Sequence, residues 1–198
     1  IQFLFDYSNF IGDIWLNWEQ FIKEGDPFQE KFTAGSNMYF DLYKGKHIRL
    51  GIPFQALFRH QGGQIDNTTL PAGTQSNLLQ GIKFQWLNTK GFFTYFNLEQ
   101  DWCQFLEINP RSSIEITEGF GSLSSLSFGT KVGEFSLAYW KSTDFNAPHG
   151  EKLFLSTSAY NPDFYMSDRE VLNIKYQYHY SINEFLDFVL RVEPYYHF

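Results

Sequence analysis

The residue types of a hydrolytic site occur together near the end of the chain, where His179 and Ser181 are separated by one residue. A histidine that removes the proton of a serine hydroxyl makes that oxygen nucleophilic, and a carboxylate bonded to the imidazole holds it in the required orientation. If residues 181–184 form a tight hairpin, Asp187 comes close to His179, whereas Glu193 lies further along the chain, roughly 20 Å away at the rise of a strand. Asp187 is therefore the carboxylate that the spacing favours.

Metal and cofactor sites are not indicated elsewhere in the sequence. The histidines are scattered, with no glutamate or cysteine at the spacing of zinc ligands. The glycine pair at 62–63 lacks the following Lys-Ser/Thr or helix of a phosphate-binding loop. Acidic residues near Asp66, Asp144 and Asp163 could ligate calcium, but such residues are ordinary turn formers. The single cysteine, Cys103, allows no disulfide within the chain. We therefore expect neither a metal nor a cofactor.

Composition and patterning indicate which elements position these groups. The formal net charge is -7 over 198 residues, which argues against a general nucleic-acid binder because phosphate backbones require a basic surface. Aromatic residues make up 20% of the chain, yet no apolar run approaches the roughly 20 residues of a membrane-spanning helix. Apolar and polar residues alternate instead, which is the period of a β-strand. We predict an all-β protein of about ten strands (roughly eight to twelve). The predicted strands lie within residues 10–21, 35–44, 46–59, 77–88, 92–104, 120–130, 134–142, 152–160, 172–180 and 187–198. The apolar residues of 10–21 also fit one face of a helix, and we take this segment as a strand.

The connections between the predicted strands alternate in length. Longer polar loops are predicted at 60–76 and 105–119, whereas 161–170 is long at a point where a short turn is expected. An antiparallel sheet in which long and short connections alternate has its long loops at one end. Transmembrane β-barrels have this arrangement, with short periplasmic turns and longer outer loops. An even number of strands then puts both termini on the periplasmic side. Tight turns are predicted at residues 44–46, 89–91 and 131–133.

The two faces of the predicted strands differ in charge. One face is uncharged, with aliphatic residues at mid-strand and aromatic residues towards the ends, as expected of a surface that meets lipid between two aromatic girdles. The periplasmic girdle would contain Trp86, Phe92, Phe135, Tyr196 and Phe198. The opposite face carries nearly balanced charges, which suits a narrow polar lumen, although the solvated face of a soluble β-sandwich could balance by chance. The predicted lumen network comprises Arg49, Lys83, Glu99, Asp101, Lys175, Asp187, Arg191 and Glu193.

The last predicted strand has apolar residues at every second position and ends with an aromatic residue, Phe198. It resembles the C-terminal strand of Gram-negative outer-membrane β-barrel proteins, and the resemblance implies an integral outer-membrane location. In that family the strand is the sorting signal read by the barrel-assembly machinery. The resemblance gives this role to Leu190, Val192, Tyr196 and Phe198. Pro194 departs from the pattern because it removes a ladder donor, and we place it at a strand end or a bulge.

These features predict one transmembrane, antiparallel, up-and-down β-barrel domain over residues 1–198, or the C-terminal part of a longer barrel. Barrels of this size are largely filled by side chains, which disfavours a wide porin. We expect a non-enzymatic protein surrounded by outer-membrane lipid. It would pass small solutes or have a structural role, binding a protein or glycan partner through long extracellular loops.

The alternative is a lipid-modifying acyl hydrolase that uses His179 and Ser181. The His-x-Ser sequence resembles that of outer-membrane lipid A deacylases, in which an acidic residue follows at a spacing that Glu193 meets. By strand parity, however, both His179 and Ser181 face the lumen and point away from a lipid substrate. We therefore favour the non-enzymatic interpretation at this point.

Overall fold

The computed structural model describes residues 1–63, 65–88, 90–110, 114–147, 149–158, 160–161 and 163–198. Residue 89 of one predicted turn, residues 64, 111–113 and 162 of three predicted loops, and residue 159 of one predicted strand lie outside this part of the chain. No helix among the described residues is long and apolar enough to cross a membrane. The strands are β1 (Gln2–Tyr7), β2 (Phe10–Gln20), β3 (Lys31–Lys44), β4 (Ile48–Gln61), β5 (Gly73–Leu87), β6 (Phe93–Ile108), β7 (Glu118–Thr130), β8 (Gly133–Thr143), β9 (Asp168–Asn183), β10 (Leu186–Val192) and β11 (Tyr195–His197).

All of these strands belong to one antiparallel sheet. Chain neighbours pair in order from β1 to β10, and β11 continues beside β9. This confirms the predicted all-β, up-and-down architecture and its number of strands. Within the described residues no pairing joins the two edge strands, β1 and β10. The sheet nevertheless curls, because seven consecutive strands, β2 to β8, line a single cavity. The chain thus forms a curved, open, up-and-down sheet around an interior space.

The uncharged face of the strands points away from this cavity and is largely exposed. Ile82, Leu98 and Leu137, for example, are 49%, 46% and 41% exposed. A β-sandwich would bury such side chains between two sheets. Contiguous exposed apolar surface on this scale is instead typical of a face that meets lipid or another protein. The alternation therefore separates an outer apolar face from an inner polar one, as predicted for a barrel.

Two predictions about strands are wrong. Residues 152–160 do not form a strand but begin with a 3₁₀ turn (Lys152–Phe154). Their apolar residues alternate because Leu155 is buried and Leu153 packs on the interior cluster, not because the segment is extended. Residues 144–167 are consequently one long connection, which removes the exception at 161–170. Strand β1 was not predicted, because Phe3 and Leu4 are apolar on both of its faces and hide the period of two.

Both chain ends and the four long connections lie at the same end of the sheet. Strand β1 runs away from that end towards the turn at residues 8–9, and β10 returns to it from the turn at 184–185. The prediction that the termini share the end of the short turns is therefore wrong. The additional strand β1 moves the N-terminus to the opposite end of the sheet from the one predicted. The absence of a strand at 152–160 does the same for the C-terminus. Tyr196, opposite Leu172, and Phe198, whose backbone N–H bonds the Glu170 carbonyl, accordingly lie towards the other end from Phe135 and do not belong to the predicted periplasmic girdle.

The final strand is interrupted at the proline. Strand β10 ends at Val192 and β11 begins at Tyr195, so Pro194 lies at the break between them. The Pro194 carbonyl still accepts a hydrogen bond from the Ile174 backbone N–H at 3.0 Å. The chain therefore stays beside β9 in spite of the missing donor.

A small apolar cluster fills the interior near the long connections. Phe105 and Val171 are fully buried and Trp140 is 2% exposed. The described residues of 144–167, which we call the plug segment, fold back into this space, and the Phe145 ring lies 5.0 Å from the Trp140 ring. Glycine is required at position 121 of the neighbouring strand β7, because a Cβ atom there would lie 2.2 Å from Cη2 of Trp140. The plug segment therefore closes part of the barrel interior with a packed core.

Candidate active site

Charged side chains on the inner face form separate pairs and not one continuous network. Arg49 Nη2 lies 2.8 Å from Asp41 Oδ2, and Lys83 Nζ lies 2.7 Å from Glu99 Oε2. Each pair joins neighbouring strands and neutralises itself locally. Two members of the predicted lumen network have no ion pair within the described part of the chain: Asp101 and Lys175.

The structure brings His179 and Asp187 together on the β9–β10 hairpin. His179 Nε2 lies 3.4 Å from Asp187 Oδ1, and both side chains are more than half exposed. Ser181 lies directly opposite Asp187 in the ladder and on the same face as His179. Among the described residues, no hydrogen bond links the Ser181 hydroxyl to the imidazole. Glu193 accepts a hydrogen bond from Nε of Arg191 at 2.6 Å and takes no part in this group.

A cavity of about 370 Å³ lies beside His179 at the end of the short turns. Lys131 and Gly133 of the β7–β8 turn form one side of it, and Gln177 and Val189 of the hairpin form the other. Ser181 is not part of its lining. The His179 imidazole therefore has access to a cavity that the Ser181 side chain does not share.

A larger cavity, of about 660 Å³, lies at the opposite end beneath the plug segment. Its wall on β5 to β8 is apolar and mostly buried, with Leu79, Cys103, Leu123 and Trp140 as its main members. The wall on β2 to β4 is polar and more exposed. That polar wall consists of Asn17, Glu19, Thr33, Asn37 and Gln55, together with neighbouring residues of the same strands.

The plug segment forms the roof of this larger cavity and adds further polar groups to it. His149 and Glu151 both line the cavity from the exposed side of the segment. The segment is held against the wall by a hydrogen bond from Nδ2 of Asn77, on β5, to the Asn146 carbonyl at 2.7 Å. His149 is thus carried into the cavity by a loop that is itself packed on the barrel core.

Several groups that act in ester hydrolysis converge on the larger cavity. The His149 imidazole and the carboxylates of Glu19 and Glu151 share its lining with the Thr33 hydroxyl. That hydroxyl donates a hydrogen bond to Oε1 of Glu19 at 2.5 Å and fixes the position of the carboxylate. A general base beside an apolar cavity of this size is an arrangement typical of hydrolase sites. Over the described residues, no three His, Cys, Asp or Glu side chains are grouped so as to hold a metal ion.

The two histidine sites are too far apart to act on one bond. Val171 pairs with Trp140 in the wall of the larger cavity, and His179 lies eight residues further along the same strand. Eight residues of β-strand span roughly 26 Å. The His179 group and the larger cavity are therefore alternative sites and not parts of one site.

Two ionisable groups in the long connections have shifted pKa values. Hydrogen bonds from the hydroxyl and the backbone N–H of Thr68 lower the pKa of Asp66. A hydrogen bond to the carboxylate of Asp144 raises the pKa of Tyr165, within the plug segment. Both shifts arise from contacts inside a connection, and both favour the ordered form of that connection.

The entire chain, residues 1–198, matches the family model described as lipid A 3'-O-deacylase-type. The chain belongs to this family. Neither the curated proteins nor the solved structures include a match to it. The lipid A 3'-O-deacylase-type family is a bacterial outer-membrane family, which supports the predicted relationship to Gram-negative outer-membrane proteins, though not the motif at Phe198.

Membership of the lipid A 3'-O-deacylase-type family corrects the functional prediction. The non-enzymatic interpretation, including porin-like passage of solutes, is wrong, and the acyl-hydrolase alternative is favoured. The prediction failed because strand parity was taken to keep inward-facing groups away from lipid. Strand parity gives the direction in which a side chain points, but it does not determine which molecules can reach that side chain.

Sequence reasoning missed the polar groups of the larger cavity. His149 was set aside as one of several scattered histidines, because the carboxylate of Glu19 is far from it in sequence. The available signal was the pair His149 and Glu151, two residues apart within the longest polar connection. The packing of the plug segment on Trp140 of β8 and Asn77 of β5 places His149 and Glu151 in the lining of the cavity that Glu19 also lines.

Proposed function

We propose that the chain is an integral outer-membrane β-barrel enzyme that hydrolyses an acyl ester of lipid A. The match to the lipid A 3'-O-deacylase-type family over all 198 residues is the observation that carries the proposal. The middle of the exposed outer face carries no charge, which supports integral insertion, because a Lys or Arg at the bilayer midplane would cost about 2 to 4 kcal/mol. Hydrolysis consumes one water and yields a fatty acid and a sugar hydroxyl.

The height of the bilayer on the barrel follows from strand length and outer-face charge. Strands β3 to β6 contain 14 to 16 residues, whereas a bilayer requires about 9 to 11. On the outer face of β8 and β9, Lys141 Nζ lies 2.8 Å from Glu170 Oε1, and the Tyr139 hydroxyl donates to Glu170 Oε2 at 2.7 Å. These polar groups lie towards the long connections, so the strands extend beyond the hydrocarbon at that end. Long connections normally face the cell exterior, on the side of the outer leaflet.

The larger cavity lies at the level of this boundary. Cys103 lies in the cavity wall, next to Trp102 on the outer face. Trp102 is at the same height on the sheet as Lys141, because both pair with Ser122 of the strand between them. The cavity is therefore at the height of the lipid headgroups, where an ester near the sugar of lipid A would be found. This position favours the larger cavity over the His179 group, which lies at the end of the short turns.

In the proposed reaction, His149 acts as the general base. The imidazole accepts a proton from a water molecule as that water attacks the ester carbonyl. The acyl–oxygen bond then breaks, and the sugar oxygen leaves with a proton returned from the imidazolium. Glu19 or Glu151 stabilises the charged imidazole, as a carboxylate does in other histidine-based sites. Thr33 keeps Glu19 in place through the hydrogen bond between their side chains.

A second set of candidate groups is favoured by one specific observation. His179 and Asp187 are already in contact at 3.4 Å, with Ser181 beside them on the same face. In this set the Ser181 oxygen would be the nucleophile and His179 its base, and an acyl-enzyme would form before hydrolysis. The set predicts that the Ser181→Ala variant loses activity, which the first proposal does not.

The test is deacylation of purified lipid A, followed by mass spectrometry, with the protein folded in detergent micelles. We expect His149→Ala to lower the rate by about a hundredfold or more, in line with loss of a general base. The variants His179→Ala and Ser181→Ala should retain wild-type activity. His47→Ala is the matched control, since this histidine lies in a short turn and its imidazole bonds the Leu87 carbonyl at 3.1 Å, away from both cavities. Loss in His179→Ala and Ser181→Ala with normal activity in His149→Ala would transfer the site to the hairpin.

The finer predictions about partners remain proposals. The side chains of Leu190, Val192, Tyr196 and Phe198 are exposed, which suits recognition of the terminal strands by the barrel-assembly machinery. The long connections would face the outside of the cell, where a protein or glycan could bind them. Truncation after Val192, followed by measurement of outer-membrane insertion, tests the first of these proposals.

A further inference from the structure

A continuous row of aromatic side chains crosses the outer face next to the short turns. The ladder pairs its members directly, so they lie at one level across β5 to β9: Trp86, Phe96, Phe128, Phe135 and Tyr176. Adjacent rings also stack, with 5.2 Å between the centroids of Phe128 and Phe135. Aromatic rings on a lipid-facing surface favour the level of the headgroups. The row therefore suits the boundary between hydrocarbon and headgroups at the short-turn end of the sheet.

A lysine lies beyond this row in three of the five short turns. Lys46 belongs to the β3–β4 turn, Lys90 to the β5–β6 turn and Lys131 to the β7–β8 turn. All three residues are exposed, and none of them forms an ion pair within the described part of the chain. The β9–β10 turn contains one acidic residue, Glu184. The tips of the short turns therefore present ammonium groups that no carboxylate of the described residues neutralises.

The charged groups nearest to these lysines are paired or point inwards. Lys44 Nζ lies 3.7 Å from Asp41 Oδ2 and donates a hydrogen bond to the Ser8 carbonyl at 3.2 Å. Glu134 follows the β7–β8 turn but faces the interior, where its carboxylate is hydrogen-bonded to Tyr95. At the other end of the sheet, the long connections contain more acidic than basic residues. Net positive charge is thus a property of the short-turn tips.

We infer that the short-turn rim, formed by Lys46, Lys90 and Lys131 beside the aromatic row, binds the headgroups of anionic phospholipids. Rings at the headgroup level and long lysine side chains next to them are suited to a membrane surface, because the ammonium groups can reach the phosphates. A soluble acidic partner would be attracted by the lysines but would not require an aromatic row on the lipid-facing side. The rim would face the leaflet opposite to the long connections. Each end of the sheet would then contact a different lipid.

The inference goes beyond ester hydrolysis, and it rests on the proposed function only for insertion of the barrel into a bilayer. Trp86 is a reporter of the lipid at this rim. It pairs with Ile48, two residues after Lys46, and Lys90 comes four residues after Trp86. Bromine atoms on a lipid chain quench tryptophan fluorescence on contact. The protein would be inserted into vesicles with equal amounts of phosphatidylglycerol and phosphatidylcholine, one of them brominated in each sample. The difference between wild type and Trp86→Phe gives the signal of Trp86.

We expect phosphatidylglycerol to be enriched over phosphatidylcholine at Trp86 by about fivefold or more, the contribution of a single lysine near an anionic surface. Lys46→Gln combined with Lys90→Gln should abolish this enrichment. The matched control is Lys23→Gln combined with Lys152→Gln, two lysines of the long connections, and it should leave the enrichment unchanged. High ionic strength should lower the enrichment in the wild type, because the charges are exposed to solvent.

Trp102 provides an internal comparison towards the other end of the outer face. The nearby ammonium group of Lys141 is neutralised by Glu170, with 2.8 Å between Nζ and Oε1. The two brominated lipids should therefore quench Trp102 equally, as measured from the difference between wild type and Trp102→Phe. Selectivity at Trp86 without selectivity at Trp102 places the anionic lipid at the short-turn rim.

Two results would overturn the inference. One is equal quenching of wild-type Trp86 by both brominated lipids, a measurement that needs no variant at the lysines to fold. If soluble poly-L-glutamate then bound wild type but not the Lys46 and Lys90 double variant, the rim would belong to an acidic polymer instead. The other is undiminished enrichment in the folded double variant. Failure of the proposed insertion is distinguishable, because a chain outside the bilayer is quenched by neither lipid, and failure of hydrolysis would leave all of these readings unchanged.

Discussion

Replacement of Phe145 by alanine is expected to release the plug segment without unfolding the barrel. Phe145 is 6% exposed and packs edge-on against the Trp140 ring, at 5.0 Å between centroids. Removal of a buried phenylalanine side chain typically costs 3 to 5 kcal/mol, and the lower figure is appropriate where a loop can relax. A loss of about 3 kcal/mol raises the population of the undocked segment by about a hundredfold. The sheet itself keeps its ladder, since no strand contains Phe145.

Hydrogen exchange is the assay for this prediction. The backbone N–H of Ser156 donates to the Phe145 carbonyl at 2.7 Å, and that of Met166 donates to the Ser156 carbonyl at 2.9 Å. Both amides should exchange about a hundredfold faster in Phe145→Ala, while amides of β5 and β6 should be unchanged. Phe164→Ala is the control, because this side chain is 42% exposed and its loss should cost less than about 0.5 kcal/mol. Equal exchange of the plug amides in both variants would refute the packing argument.

Three further perturbations test other parts of the account. Leu98→Arg places a charge on the outer apolar face and should lower stability in lipid bilayers by about 2 to 4 kcal/mol, measured by urea titration, against Leu98→Ala as the control. Gly121→Ala brings a Cβ to 2.2 Å from the Trp140 ring, so the melting temperature should fall, and Trp140→Leu should partly restore it in the double variant. The depressed pKa of Asp66 means that its hydrogen bonds from Thr68 stabilise the connection above the ordinary aspartate range and are lost as the pH falls through the folded-state pKa. Asp66→Asn should therefore remove the acid-induced rise in exchange of the Thr68 amide.

The alternation of residues predicted the sheet well because it follows directly from strand geometry. Side chains such as Phe84 and Leu98 point outwards and Lys83 and Glu99 point inwards, and the ladder places the members of each pair directly opposite each other. The same rule was misleading at Leu153 and Leu155, where alternation arises from packing in an irregular segment. One strand lost there and one gained at β1 were sufficient to move both chain ends across the sheet.

The site was less predictable than the fold. The contact between His179 and Asp187 follows from a hairpin, so a local spacing rule could find it. The larger cavity depends on long-range packing: Phe145 packs on Trp140, and the plug segment that it anchors places His149 in the lining of the cavity that Glu19 also lines. No local pattern encodes such a juxtaposition. Strand parity correctly predicted which side chains face inwards. It does not determine which molecules can enter the interior.

Release of fatty acid from lipid A tests the central claim most directly. Wild-type protein, shown to be folded by its circular dichroism, would be incubated with purified lipid A in mixed micelles, and both products would be followed by mass spectrometry. The account predicts that lipid A loses the mass of one acyl chain and that an equal amount of that fatty acid appears. Lipid A that stays intact in the presence of folded protein would contradict it.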